Sequence, residues 1–373
     1  MTGNTLRLGR ILGIEIKLDY SWFVIFVLVT WSLAGQLFPD SYPGWSRAAY
    51  WLAGLVTALL FFGSVLAHEL AHSLISQRYG VPVTDITLFI FGGAAHISEE
   101  PKTARGELVM ALAGPATSLL LSGLFGVLWL LTRSTGGYLY AIASWLAGIN
   151  LSLALFNLIP GFPLDGGRVF RAIVWAISGN LRQATRIATA LGRLVAFGFI
   201  LAGVGQIFAG NLANGLWIAF IGWFLENASA NTYRRQALHD MLAGHKVSEI
   251  MTGECAHIPA DLTVDALVND LLLPTGRRCF PVEEGGRVRG LVTVHRIQQV
   301  PRAQWPHTRV DQIMIPRDQL KTVRPDDELN DVLDRMAGED VNQLVVVAGD
   351  DLLGLVARDR LLNYIQTRSE LGV

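Results

Sequence analysis

Apolar residues run from Tyr20 to Phe224 in long blocks that few charges interrupt, and the blocks are bilayer-sized. A lipid core takes about 20 mostly apolar residues per helix. Six stretches meet that length: Tyr20 to Phe38, Ala49 to Gln77, Leu108 to Leu131, Leu139 to Leu158, Ala184 to Phe208 and Leu212 to Ala230. Between the second and third, Val81 to Ile97 breaks the pattern. It is too short and glycine-interrupted to span, yet rich in β-branched and aromatic residues, which predicts a β-hairpin. Backbone groups at bilayer depth need partners in protein or a wet cavity. The hairpin is therefore either a platform for an incoming peptide or a cover over a loop.

From about Tyr233 onward, Asp, Glu and Arg recur at the density of a soluble protein, and a repeat emerges. Val247-Ser248-Glu249-Ile250-Met251 returns as Val310-Asp311-Gln312-Ile313-Met314, and Gly290-Leu291-Val292 returns as Gly354-Leu355-Val356. Each copy predicts helix and strands closed by another helix, and two copies suggest a pair that buries its faces together. The fold class expected is a polytopic α-helical membrane protein of about six transmembrane helices with a short membrane-associated β-hairpin, followed by a C-terminal α/β pair. The expected divisions are a membrane domain over 1–235, a linker over 236–246, repeats over 247–300 and 310–366, and a second linker over 301–309.

Composition sharpens the picture. Of 373 residues, 51% are hydrophobic and 16% charged, against about a quarter charged in soluble proteins. Six spans place both termini on one side. Arg7, Arg10, Lys17, Arg78, Lys102, Arg105, Arg168, Arg171, Arg182, Arg186, Arg193, Arg234 and Arg235 fall at one set of span ends, and only Arg47 and Arg133 at the other. That asymmetry makes the termini and the repeats cytoplasmic in a multi-pass cell-membrane protein. A net charge of −1 without any Lys/Arg run leaves no surface for nucleic acid. The two cysteines, Cys255 and Cys279, both lie in the soluble half, in keeping with a reducing compartment. Met1 to Lys17 is polar and lacks the apolar core of a cleaved signal peptide.

Within the second span stands Ala67-His68-Glu69-Leu70-Ala71-His72. Residues four apart stack on one helix face, so His68 and His72 can take two corners of one tetrahedral zinc. Glu69, one residue round, is placed to act as a general base without ligating. Ionisable groups inside a span are costly and point to function. A catalytic zinc takes a third protein ligand, and Asp165 is the leading candidate, in Asn157-Leu158-Ile159-Pro160-Gly161-Phe162-Pro163-Leu164-Asp165-Gly166-Gly167. Pro160, Gly161 and Pro163 prevent a continuous helix there. On residue types alone, Asp165 is equally readable as the N-cap of the next helix. His96 is a competing ligand. Asn157 could hold a substrate carbonyl through its amide, or satisfy backbone freed by Pro160.

His68-Glu69-Leu70-Ala71-His72, the Asn157 to Gly167 stretch and the six-span layout together resemble the site-2 protease family of intramembrane metalloproteases, over about Tyr20 to Arg235. The resemblance implies one zinc ion on His68, His72 and Asp165, Glu69 as catalytic base, Asn157 holding substrate, and a membrane-embedded hairpin at Val81 to Ile97 for an unwound substrate. The substrate class implied is a membrane protein with a transmembrane segment, cut by regulated intramembrane proteolysis. A Gly-Pro-x-x-Asn element common in the family stands here as Gly114-Pro115-Ala116-Thr117-Ser118. No PDZ-type insertion separates the spans, as in the branch that ends in CBS repeats, and the two C-terminal copies resemble CBS domains. Many nucleotide-binding CBS domains carry an aspartate three residues after the Gly-Ile-Val-Thr run; here Arg296 and Arg360 occupy those positions. An adenine-nucleotide site and a dimerisation or partner-binding module both stay open for the pair. A CBS-regulated channel or transporter, or a membrane-protein binder without activity, are the rival classes.

Overall fold

The computed structural model describes residues 5–90, 92–97, 101–134, 136–253, 256–277, 279–339, 341–349 and 351–371. Cys255 lies outside them, and the side chains of His96, Arg234, Arg235 and Cys279 are likewise not described. The chain divides into two compact units, 1–236 and 237–373.

The first unit opens with two strands, β1 (Thr5–Ile11) and β2 (Ile14–Asp19). Leu12 and Gly13, both at positive φ, make the tight turn that matches the twist of a hairpin. Helix α1 (Tyr20–Ser41) follows directly, with the Asp19 carboxylate accepting from the Ser21 backbone N–H (2.9 Å) and hydroxyl (2.6 Å). Those contacts hold the Asp19 carboxyl below the usual carboxylate range. Helix α2 (Arg47–Arg78) starts on a Ser46 cap. Next come β3 (Val83–Phe89), β4 (Gly92–Ile97), and helices α3 (Ala104–Leu131), α4 (Tyr138–Asn157), α5 (Asp165–Ser178), α6 (Leu181–Phe208) and α7 (Leu212–Leu242).

Among the described residues, five helices are long and apolar enough to cross a membrane: α1 to α4 and α6. The sixth expected span is the first part of α7, where Asn214, Glu226 and Asn227 interrupt the apolar run. That helix continues to Leu242, so most of the expected linker over 236–246 is helical. Aromatic rings gather at the Arg47 end of α2 and the start of α4. Tyr42 stacks on Trp45 (5.5 Å), Trp45 meets Tyr138 edge-on (4.4 Å), and the Tyr50 hydroxyl donates to the Tyr42 carbonyl (2.7 Å). Such amphipathic rings suit a membrane–water boundary.

The expected hairpin is present, β3 against β4, but it belongs to a larger sheet of order β1-β2-β3-β4. Strand β2 runs parallel to β3, with Glu15 opposite Asp85 and Leu18 opposite Leu88. Ile14, Ile16 and Leu18 alternate inward, and with Ile86 and Leu88 they pack on Val65, Phe61 and Leu70 of α2. On the other face Lys17 bridges to Asp85 at 3.2 Å. Helices α6 and α7 approach through glycine: a Cβ at Gly222 would come within 2.7 Å of the Ala196 carbonyl oxygen. Small residues bring helices this close where lipid supplies no hydrophobic drive.

In the second unit the strands Ile258–Pro259, Cys279–Glu284, Arg287–Thr293 and Ile315–Pro316 form one sheet, and Thr322–Val323, Gln343–Ala348 and Asp351–Ala357 another. The repeats interlock. Ile315, five residues into the second repeat, pairs with Leu291 of the first, while Thr252 exchanges hydrogen bonds with Leu355 of the second (2.9 and 3.3 Å). This crossing explains the repeated Gly-Leu-Val. A Cβ at Gly290 would strike the Ile315 backbone, and one at Gly354 the Thr252 backbone. Glu249 accepts from the Lys246 N–H (2.9 Å) and lies 2.7 Å from the His245 ring, contacts that hold its carboxyl below its usual range.

Candidate metal centre

The centre is assembled from three helices. Helix α2 is 32 residues long, about 48 Å, which exceeds a bilayer core of about 30 Å. His72 lies six residues before its end at Arg78, about 9 Å along the axis. His68 and His72 are both buried, one turn apart.

Each imidazole is held from behind by α3. His68 Nδ1 is 2.9 Å from the Ser118 hydroxyl, and His72 Nδ1 is 2.7 Å from the Met110 carbonyl oxygen. A carbonyl only accepts, so His72 Nδ1 carries the hydrogen, and in the neutral ring its Nε2 presents a lone pair to the centre. Partners of this kind fix ring orientation and ligand basicity in metal sites. Ser118, which stands where the Gly-Pro-x-x-Asn element has asparagine, reaches the ring itself.

Asp165 arrives from the irregular segment after α4. It is the first residue of α5, with Leu164 in the cap position, so its carboxylate is not spent on capping. Asp165 Oδ2 lies 3.1 Å from His68 Nε2 and 3.1 Å from His72 Nε2, and the two Nε2 atoms are 3.2 Å apart. These three residues form a group able to hold a metal ion. The fit is chemical as well as geometric. Two imidazole nitrogens and a carboxylate oxygen are the donor types that bind zinc. A tetrahedral zinc with bonds of about 2.0–2.1 Å spaces its donors about 3.3 Å apart, close to the triangle observed.

Glycines let backbone close around this triangle. The Gly114 Cα faces both imidazoles so closely that a Cβ there would lie 2.5 Å from His68 Nε2 and would also strike His72 Nε2. Gly166 and Gly167 pack on the backbone of Leu158, Gly161 and Phe162, folding the loop back on the helix it feeds. A Cβ at Gly93 of β4 would lie 3.0 Å from Glu69 Cδ, so the edge strand passes directly over that carboxylate. The outer edge of β4 has no strand neighbour among the described residues.

Asn157 is the last residue of α4, and its half-buried amide makes no hydrogen bond among the described residues. His96 lies on β4, and its side chain is outside the described set. Sequence reasoning missed Met110, whose contribution is a backbone carbonyl that residue type does not signal. It also missed the strands β1 and β2, although the alternation Ile14, Ile16, Leu18 marks a half-buried strand.

A methyl group at position 114 is expected to crowd the donor triangle. Gly114→Ala should weaken zinc binding by about tenfold or more in chelator competition. Gly123→Ala, on the same helix in open space, should bind like the native chain. Equal affinities for the two variants would contradict the packing described here.

Comparison with known proteins agrees with this chemistry. The family model for Peptidase family M50 matches residues 56–136 and 132–201, and the CBS domain model matches 247–301 and 310–367. The zinc metalloprotease Rip3 of Mycobacterium tuberculosis is 37% identical over 357 residues, 95% of this chain and 91% of that protein. The zinc metalloprotease sll0528 of Synechocystis is 34% identical over 370 residues, 98% of this chain and 96% of that protein. The solved site-2 protease of Methanocaldococcus jannaschii is 28% identical, with a TM-score of 0.41 over 62% of this chain and 95% of that one. On the strength of the sequence matches, which run nearly end to end, the chain belongs to the M50 (site-2 protease) family of zinc metalloproteases, in a form that carries a CBS domain pair.

Proposed function

We propose that this metalloprotease hydrolyses a peptide bond in or near a transmembrane segment of a membrane-protein substrate, and that the CBS pair regulates that cleavage. The observation that carries the reading is the triangle of His68 Nε2, His72 Nε2 and Asp165 Oδ2, with edges of 3.1, 3.1 and 3.2 Å. It is built on a helix long and apolar enough to cross a membrane.

In this reading His68, His72 and Asp165 hold one zinc ion. Bound there, zinc would supply Lewis acidity, making water easier to deprotonate and the scissile carbonyl more electrophilic. Glu69, beside His68 and beneath Gly93, takes the proton from the attacking water and returns it to the leaving amine nitrogen. Asn157, at the broken end of α4, donates from its amide to the substrate carbonyl or to the charge that develops on it. A transmembrane helix protects its carbonyls by hydrogen bonding, so the segment must unwind before it is cut. The free edge of β4 offers replacement hydrogen bonds, by strand addition next to Glu69. The His72 to Arg78 interval and the bias of positive charges support a reaction towards the cytoplasmic leaflet, with both termini and the repeats in the cytoplasm.

The CBS pair acts as a regulatory or dimerisation module. Adenine nucleotide is its candidate ligand by family likeness, with Arg296 and Arg360 rather than acidic residues at the ribose-binding positions.

Three outcomes test this function. Glu69→Gln should cut proteolysis by about 10²–10⁴-fold while zinc stays bound at one per chain, and an uncut membrane span should accumulate in membrane proteomics of cells carrying it. Undiminished cleavage by that variant would remove Glu69 from the mechanism. Substrates with Gly, Pro, Asn or Ser near the cut should be cleaved faster than versions with a strong helix former there; equal rates would mean that unwinding does not limit the reaction. Deleting 247–373 should change the cleavage rate at normal expression, and an unaltered rate and substrate choice would end the regulatory reading.

A further inference from the structure

Helix α3 presents one buried stripe to the centre at positions i, i+3, i+7 and i+11: Glu107, Met110, Gly114 and Ser118. Three of the four face the imidazoles. The fourth, Glu107, sits at the N-terminal end of the stripe and is fully buried.

Its partner is Arg171 of α5, the helix that begins with Asp165. Arg171 Nε donates to Glu107 Oε1 at 2.6 Å, and Nη2 reaches the same oxygen. Nη1 is 3.5 Å from the Thr185 hydroxyl of α6, and the guanidinium lies over the Phe162 ring at 5.3 Å. Phe162 belongs to the loop just before Asp165. Its carbonyl accepts a hydrogen bond from Ser229 of α7, and its backbone packs on Gly192 of α6. Arg171 was counted above among the charges that set topology; it is in fact buried, and it ties α5, α3, α6 and the loop together.

A buried ion pair is a poor way merely to hold helices together. Desolvation offsets much of the attraction, and apolar residues of similar volume often hold the same helices as well or better. What the pair adds is direction, because the planar guanidinium fork bonds in a fixed plane. We infer that the Glu107–Arg171 pair positions the Asp165 carboxylate against the two imidazoles. The stripe on α3 then orients all three metal donors: Ser118 and Met110 fix the histidines, and Glu107 fixes the helix and loop that carry the aspartate. This inference rests on the metalloprotease reading of the site. It assigns Glu107 and Arg171 as positioning residues, not catalytic ones.

The test uses the full-length chain in detergent or nanodiscs. It compares the native protein, Glu107→Met/Arg171→Met and Arg171→Lys by chelator competition for zinc and by the visible spectrum of the Co²⁺-substituted protein. The double variant removes the pair without stranding a charge, so its unfolding should stay close to native. Its zinc affinity is expected to fall by about tenfold or more, and its Co²⁺ bands to lose the tetrahedral pattern, a change that helix packing alone would not cause. Arg171→Lys keeps the charges and loses the fork, and keeps the test decisive should the double variant not fold; it is expected to shift the same bands with a smaller loss of affinity. Native zinc affinity and native Co²⁺ spectra in both variants, or in Arg171→Lys where only it folds, would overturn the positioning role. Failure of the native chain to bind zinc would instead overturn the metal-site reading beneath it.

Discussion

Two imidazole nitrogens and a carboxylate oxygen held 3.1–3.2 Å apart inside a membrane domain are the constraint around which this protein is organised. Atoms at such distances match the donor spacing of a tetrahedral metal ion. Much of the surrounding architecture serves to keep them there. Helix α3 backs both rings through Ser118 and Met110 and leaves no side chain at Gly114 to fill the space. The loop from Leu158 to Leu164 doubles back through glycine contacts so that α5 can begin on Asp165.

The membrane adds its own condition, that every backbone polar group find a partner within the protein. Near the centre the irregular backbone packs on neighbouring helices. The loop before Asp165 lies against α6 at Gly192 and against α7 at Ser229, and the four-stranded sheet lies against α2 through Ile16, Ile86 and Leu88. Strand β4, which has no strand neighbour on its outer side among the described residues, passes beside Glu69, and in the proposed function that edge receives the extended peptide.

How much of this could be read from residues alone depended on whether the signal was local. His68, Glu69 and His72 stand at helical spacing within an apolar run and were legible, whereas Asp165 read equally as ligand or helix cap until the resemblance singled it out. The hairpin at 83–97 was legible too, from glycines between β-branched residues. Contacts made by backbone or across distant sequence were not. Nothing at Met110 marks its carbonyl as the partner of His72, and Arg171 looks like any positive charge near a span end until Glu107, 64 positions away, is seen against it. The parallel pairing of β2 with β3 is hidden because two long helices separate them. In the repeats, Gly290 and Gly354 were visible as a motif, but the backbone crossing that demands them became clear only in three dimensions.

The central claim is that one zinc ion sits on His68, His72 and Asp165, and X-ray absorption at the zinc edge of the purified full-length chain tests it most directly. The account predicts one equivalent of zinc in a low-coordinate shell of nitrogen and oxygen at about 2.0–2.1 Å, with two imidazole scattering patterns, and loss of one oxygen neighbour in Asp165→Ala. A metal-free protein after growth and purification with zinc, or an identical shell when Asp165 is removed, would contradict it.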